Sequence, residues 1–245
     1  MYRFIRAGVR TVRSRALAYF LFGTGERIVH GGPFAGLKYP TGLSAGSEWL
    51  PKLVGTYELE LHNWVTELPS RNYQTIINVG SGEGYYAVGL AVTIPTVTVY
   101  ASDVNEDARR FCRRLAEVNR VEGRVHVIGE CTIEGLGQLI QGRTLIVCDC
   151  EGCEYELLRP DTVRQLRQCD IIVELHRSDP DDDAPAMLLD RFKTTHRVRW
   201  EDFGQREIDD VPLLNRLPRP FRAYAVDENR SRGLSWAFLE SHESP

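Results

Sequence analysis

Between Thr75 and Leu175, five short runs rich in valine and isoleucine alternate with stretches whose apolar residues fall at helical spacing. The runs are Thr75–Val79, Val97–Ser102, Arg124–Ile128, Thr144–Asp149 and Asp170–Leu175, with helices expected near 84–93, 106–119, 132–141 and 153–168. Strands so connected cross over right-handedly into a parallel, doubly wound α/β sheet, and any ligand crevice then lies at the strands' carboxyl ends. A further helix is expected over Ala184–Thr195. The last apolar runs, Arg197–Phe203 and Leu234–Ser241, show no convincing helix-plus-parallel-strand unit between them, so they are expected to pair as an antiparallel terminal ribbon.

The first run continues into "TIINVGSGEGYYAVGLA", residues 75–91, where glycines stand at 80, 82 and 84. A strand-to-helix turn of this kind brings bare backbone amides against a bound nucleotide, because glycine tolerates positive φ and has no side chain in the way. A dinucleotide fingerprint would place its third glycine at position 85, where this chain has Tyr85, and a pyrophosphate at the helix start would meet Glu83. Acidic residues also close the other strands: Asp103 after the second, Glu130 after the third, Asp149 and Glu151 after the fourth. A crevice lined this way suits a cationic nucleoside, which favours S-adenosylmethionine over NAD.

The stretches "NVGSGEGYYAVGLA", "VTVYASDVNEDARRFCRRLAEVNRV" and "LIVCDCEGCEYELL" resemble successive motifs of class I S-adenosylmethionine-dependent methyltransferases. The third resembles the FkbM-like branch, with its Asp-x-Glu-Gly-x-Glu pattern at the end of the fourth strand. The resemblance covers about Thr75–Leu175 and implies a Rossmann-like sheet of seven strands, mostly parallel with an antiparallel terminal ribbon; N-terminal helices are expected before it. It implies that Gly80, Ser81, Gly82, Glu83 and Gly84 wrap the methionine part of the cofactor, that Asp103 with Val104 holds the ribose, and that Glu130 and Cys131 flank adenine. Asn78 stands where many members carry an acid and would meet the cofactor ammonium through its amide oxygen. Tyr57 and Glu58, in "GTYELE", are expected to close over the cofactor.

Methyl transfer from a sulfonium needs alignment of donor and acceptor, and a hydroxyl acceptor also needs a base. "DIIVELHRSD" puts Glu174 and His176 on one side of a strand end, beside Asp149. His176 is the expected base, with Glu174 and Asp149 as its partners and no required metal. The expected function is O-methylation of a hydroxylated small molecule, sugar-like or a secondary metabolite. Two alternatives stand beside it: a non-catalytic S-adenosylmethionine-binding protein, and an NAD-dependent oxidoreductase.

A chain of 245 residues, 42% hydrophobic and 26% charged, can bury one substantial α/β core, and its net charge of −4 gives no electrostatic reason to expect nucleic acid as a partner. Residues 1–74 are expected to form helices and an active-site cover, 75–245 the cofactor-binding domain, and 204–233 a substrate-facing insertion. Six cysteines crowd mid-chain, a distribution that suits a reducing cytoplasm. "CDCEGC" lacks a fourth ligand for structural zinc, so Cys148, Cys150 and Cys153 are expected to behave as small buried hydrophobes. Residues 1–22 read as a basic amphipathic helix whose apolar stripe needs a cover: the domain itself, a second copy in a homodimer, or a membrane surface.

Overall fold

The computed structural model describes residues 14, 16–24, 27–40, 47–177, 182–204, 211–230 and 234–243. The Val/Ile runs form parallel strands β1 (Thr75–Val79), β2 (Thr98–Ser102), β3 (Val125–Ile128), β4 (Thr144–Cys148) and β5 (Asp170–Leu175). The terminal ribbon is β6 (His196–Asp202) and β7 (Ser235–Ser241), and β7 pairs antiparallel with both β5 and β6. The sheet order is β3-β2-β1-β4-β5-β7-β6, a Rossmann-like arrangement whose direction of winding reverses between β1 and β4. That reversal leaves a crevice at the carboxyl ends of these two strands.

β1, β4 and β5 are buried along their whole length because helices cover both faces of the sheet. Successive side chains point to opposite faces, so Ile76 joins one core with Leu145 and Ile172, while Ile77 joins the other with Ile146 and Ile171. The helices that position the site are α1 (Trp49–Val54), α2 (His62–Glu67), α3 (Tyr85–Thr93), α4 (Glu106–Val118), α5 (Ile133–Leu139) and α6 (Glu154–Leu157). Asn105 caps α4 by accepting from the amides of Asp107 and Ala108, and Glu106 and Asp107 follow in the first turn, where negative charge is favourable.

Two expected elements differ. The helix expected over 153–168 is cut into α6 and a separate 3₁₀ turn, Arg164–Gln168, because Pro160 lacks an amide donor and turns Arg159 away from helical backbone. Between β6 and β7 the chain forms a 3₁₀ turn, Pro212–Arg216, and α8 (Arg219–Val226), after α7 (Ala184–Phe192). The short amphipathic pattern of α8, interrupted by Pro218 and Pro220, reads in sequence as loop.

Of the amino-terminal segment expected to be helical, residues 1–13 and 15 lie outside the described residues. Residues 16–22 are helical, and Ala18 and Leu21 are buried with Leu50 and Val54 of α1 and Ala225 and Val226 of α8. The domain itself therefore covers this part of the apolar stripe, while Tyr19 and Phe20 stay exposed. Among the described residues, no helix is long and apolar enough to cross a membrane.

Candidate active site

A cavity of about 870 Å³ opens at the carboxyl ends of β1, β2, β4 and β5. Its floor is the glycine turn. Gly80 has φ 73°, and a Cβ there would come within 1.6 Å of the Asp149 carbonyl oxygen, so the turn owes this glycine to the end of β4. Gly84 caps α3 at φ 91° against Cys112 of α4, where a Cβ would lie 2.6 Å from the sulfur. Gly80, Ser81, Gly82 and Glu83 line the cavity, but Gly84 is not among the lining residues. Its requirement comes from helix packing.

Asp103, at the end of β2, ties the turn in place: one carboxylate oxygen accepts from the Gly82 amide (2.8 Å) and the other from the Asn105 amide (2.8 Å). A carboxylate offers about four acceptor positions, so Asp103 retains capacity toward the cavity. Val104, Glu130 and Cys131 line the mouth; Val104 is 78% exposed, and burial pushes the Cys131 thiol up to about 11. Asn78 is buried on β1 and donates its amide hydrogen to the Val147 carbonyl (3.2 Å). Its amide oxygen has no partner among the described residues, and neither do the Ser81 and Tyr85 hydroxyls. Three residues that line the cavity therefore each carry a buried polar atom whose hydrogen-bonding capacity is unused.

Glu83 differs from the sequence expectation. Its carboxylate is buried in an ion pair with Lys52 of α1 and accepts from the Tyr39 hydroxyl (2.5 Å). Lys52 balances the charge that was expected to repel phosphate from the turn. Tyr57 lines the cavity with its ring 4.4 Å from the Lys52 ammonium, whereas Glu58 is not a lining residue and faces Tyr86 and Arg230 instead. Glu58 holds left-handed backbone (φ 50°), a conformation that its amide's bond to Glu228 helps to fix.

Asp149, Glu174 and His176 also line the cavity, at the ends of β4 and β5. His176 Nδ1 lies 2.9 Å from Glu154, a fully buried residue at the start of α6, and Nε2 lies 3.4 Å from Glu174, 3.5 Å from Glu151 and 3.7 Å from Asp149. Burial lowers the imidazole pKa, but the hydrogen bond and charge of Glu154, together with Asp149 and Glu151, outweigh it and hold the group above its usual value. Burial and the facing Asp149 push the Glu174 pKa up, and burial also raises Asp149, while the Arg230 guanidinium pairs with Glu174 at 2.5 Å. Asp149, Glu151 and His176 also bring one donor atom each within 4.8 Å of one another, a mixed oxygen and nitrogen set of the kind that suits a hard divalent cation.

Sequence reading passed over Lys52 and Arg230 of this site, and took Glu154 only as an acid at the start of the helix after the fourth strand. Glu154 is the last acid of the Asp-x-Glu-Gly-x-Glu pattern, which is the signal that points to it. Arg230 lies after α8 and contacts Glu58, Glu174 (2.5 Å), Glu228 (3.1 Å) and the Tyr57 hydroxyl (3.0 Å), with Glu228 and Asn229 also on the cavity wall. No local pattern marks it, since its partners lie far apart in sequence. Cys150 and Cys153 form a disulfide, and Cys153 is exposed, so only Cys148 of the three behaves as the buried hydrophobe expected.

No protein-family model matches the chain, and no curated protein matches it. Among solved structures, an O-methyltransferase from Bacillus cereus in complex with SAH aligns with TM-score 0.48 and 14% identity, over 71% of this chain and 77% of that one. The human methyltransferase 10 domain containing protein aligns with TM-score 0.46 and 16% identity, over 75% and 81%. A putative rRNA-methylase from Clostridium thermocellum aligns with TM-score 0.45 and 12% identity, over 70% and 88%. At these scores the likenesses carry no functional argument, which rests on this chain's own residues.

Proposed function

We propose that this protein is an S-adenosylmethionine-dependent methyltransferase of the FkbM-like branch that acts on a hydroxyl of a small molecule. One observation carries the reading: a single cavity joins a cofactor-type wall, made by the glycine turn, Asp103 and the unpartnered Asn78 oxygen, to an acid–base wall centred on His176. The fit to the cofactor is chemical. The Asn78 oxygen is an acceptor for an ammonium, the remaining acceptor capacity of Asp103 suits vicinal hydroxyls, and Val104 and Cys131 offer apolar surface for a base. When bound, the cofactor supplies a methyl group on an already activated leaving group.

The chain's residues have the remaining tasks. Glu154 accepts from Nδ1 of His176 and so fixes the tautomer that leaves Nε2 facing the cavity. In its neutral form His176 takes the acceptor's proton at Nε2. Asp149 and Glu174 stand within 3.4–3.7 Å of Nε2 and offer further polar contacts for the acceptor. Exposed Glu130, Glu134, Glu151 and Glu156 at the cavity disfavour a phosphate backbone, which supports a small molecule over nucleic acid.

Calorimetry with S-adenosylhomocysteine and with NAD tests the reading. S-adenosylhomocysteine should bind and NAD should not, and Asp103→Ala should weaken binding by about 1.5–3 kcal/mol through loss of charge-assisted hydrogen bonds. NAD binding of equal affinity would overturn the assignment. Absence of transfer from labelled S-adenosylmethionine to any component of a metabolite extract would favour the non-catalytic alternative. Turnover lost to a chelator and restored by magnesium would put a cation beside His176 in place of metal-free proton removal.

A further inference from the structure

The segment between β4 and α6 carries Asp149 and Glu151 into the cavity and is closed on itself by the Cys150–Cys153 disulfide. Two residues inside that ring take left-handed backbone, Glu151 at φ 56° and Gly152 at φ 110°. For Glu151, with a side chain, this is a disfavoured conformation that surrounding structure must maintain. Besides the disulfide, the Gly152 amide donates to Glu154 (2.9 Å), the Cys153 amide approaches the Cys150 carbonyl (3.4 Å), the Asp149 amide donates to Val79 (3.0 Å), the Cys153 carbonyl accepts from Glu156 (3.2 Å) and Leu157 (3.0 Å), and the Glu151 carboxylate lies 3.5 Å from His176, but none of these fixes the backbone of Glu151 itself. The crosslink is the covalent element that keeps the turn folded against the glycine loop.

The two sulfurs differ in access. Cys153 is exposed, whereas Cys150 is half-buried, 3.4 Å from Glu154 and 3.7 Å from the sulfur of Cys148. Cys148 is buried, and burial with the nearby Glu154 and Asp149 charges raises its thiol well above the usual value, which makes it a poor internal attacker. Attack must come from solvent, at Cys153.

We infer that Cys150–Cys153 is a thiol-exchange site on the cavity wall, opened by a dithiol, and that the intact bond holds the 149–153 turn in its ligand-binding form. The second half of this inference rests on the methyltransferase reading; the first does not. A thiolate of the dithiol attacks the Cys153 sulfur, the Cys150–Cys153 bond breaks, and Cys150 leaves as a thiolate that takes a proton from solvent and then donates to Glu154. The second thiol of the reductant attacks the mixed disulfide and releases Cys153, so the protein gains two hydrogens and the dithiol becomes a disulfide. In the opened state Glu151 and Gly152 lose the constraint on their backbone, and the turn leaves the wall that carries Asp149.

The test uses the full chain equilibrated in dithiothreitol buffers of graded redox poise. Native alkylation followed by trypsin, which does not cut the Arg159–Pro160 bond, reads the 144–164 peptide, which contains Cys148, Cys150 and Cys153. Reduction should add label at Cys150 and Cys153, with Cys153 first, and hydrogen exchange over 149–157 should rise. If opening leaves about a tenth of the molecules in the closed turn, the apparent affinity for S-adenosylhomocysteine falls roughly tenfold. Cys153→Ser should show the weakened state with or without dithiol, while Cys169→Ser should behave as the parent does. Equal labelling of Cys150 and Cys153 before and after dithiol, or unchanged exchange over 149–157 on reduction, overturns the inference. If S-adenosylhomocysteine binds in neither redox state, the methyltransferase reading fails, while labelling and exchange still decide whether the site exists.

Discussion

His176 shows how neighbours set what a residue can do. Its pKa is raised because Glu154, Asp149 and Glu151 favour the imidazolium over the opposing effect of burial. A base works in its neutral form, so the transfer rate should climb as pH rises through that raised pKa, above the usual 6.5. The stabilising interaction runs the other way: it is fully present below the unfolded pKa and is lost as pH rises through the folded one. Glu154→Gln, which removes the largest favourable contribution while keeping the shape, should move the ascending limb of the pH–rate profile toward lower pH. His176→Ala should cut the transfer rate by roughly 10² to 10⁴ and leave S-adenosylhomocysteine affinity nearly intact. An unmoved limb in Glu154→Gln would mean that another group governs it, and loss of cofactor affinity in His176→Ala would make the histidine structural.

At the scale of elements, what was legible in sequence is what local pattern determines. Five Val/Ile runs became five parallel strands with ends shifted by a residue at most, and in β1, β4 and β5 burial on both faces leaves little choice of residue type. The expected helix over 153–168 failed at Pro160, a local signal that apolar spacing outweighed, and α8 was hidden by Pro218 and Pro220 at its start. The acids and histidine that line the cavity at Asp149, Glu174 and His176 could be read because they sit at strand ends. Lys52 and Arg230 could not, since each meets partners brought together only by the fold. Lys52 is the clearest instance: it anchors α1 to the glycine turn through Glu83, and both side chains are buried. Removing one member of a buried ion pair leaves the other charge without compensation, so Lys52→Met should destabilise the protein by about 3–5 kcal/mol in urea unfolding. Glu83→Gln in the same background should recover part of the loss. A Lys52→Met variant as stable as the parent would show that the pair contributes nothing net.

Over the whole molecule, the amino-terminal segment and the chain between β6 and β7 meet on α1, far apart in sequence but joined in one small apolar cluster. That cluster touches the first of the two sheet cores only through Phe22 and Trp49, and no residue of 16–24 lines the cavity. Removal of residues 1–22 should therefore act on stability more than on ligand binding. Leu21 is nearly fully buried, and returning a leucine side chain of this kind to water costs about 1.5–3 kcal/mol, before counting the exposure of Leu50, Val54 and Val226 that its loss would cause. A chain starting at Gly23 should unfold at lower urea concentration, while its folded form should bind S-adenosylhomocysteine with near-parental affinity. The same protein should be compared with the intact one by light scattering and by sedimentation with anionic vesicles. Unchanged stability, combined with vesicle binding by the intact chain alone, would reassign the segment from an internal strut to a membrane contact made through exposed Tyr19 and Phe20.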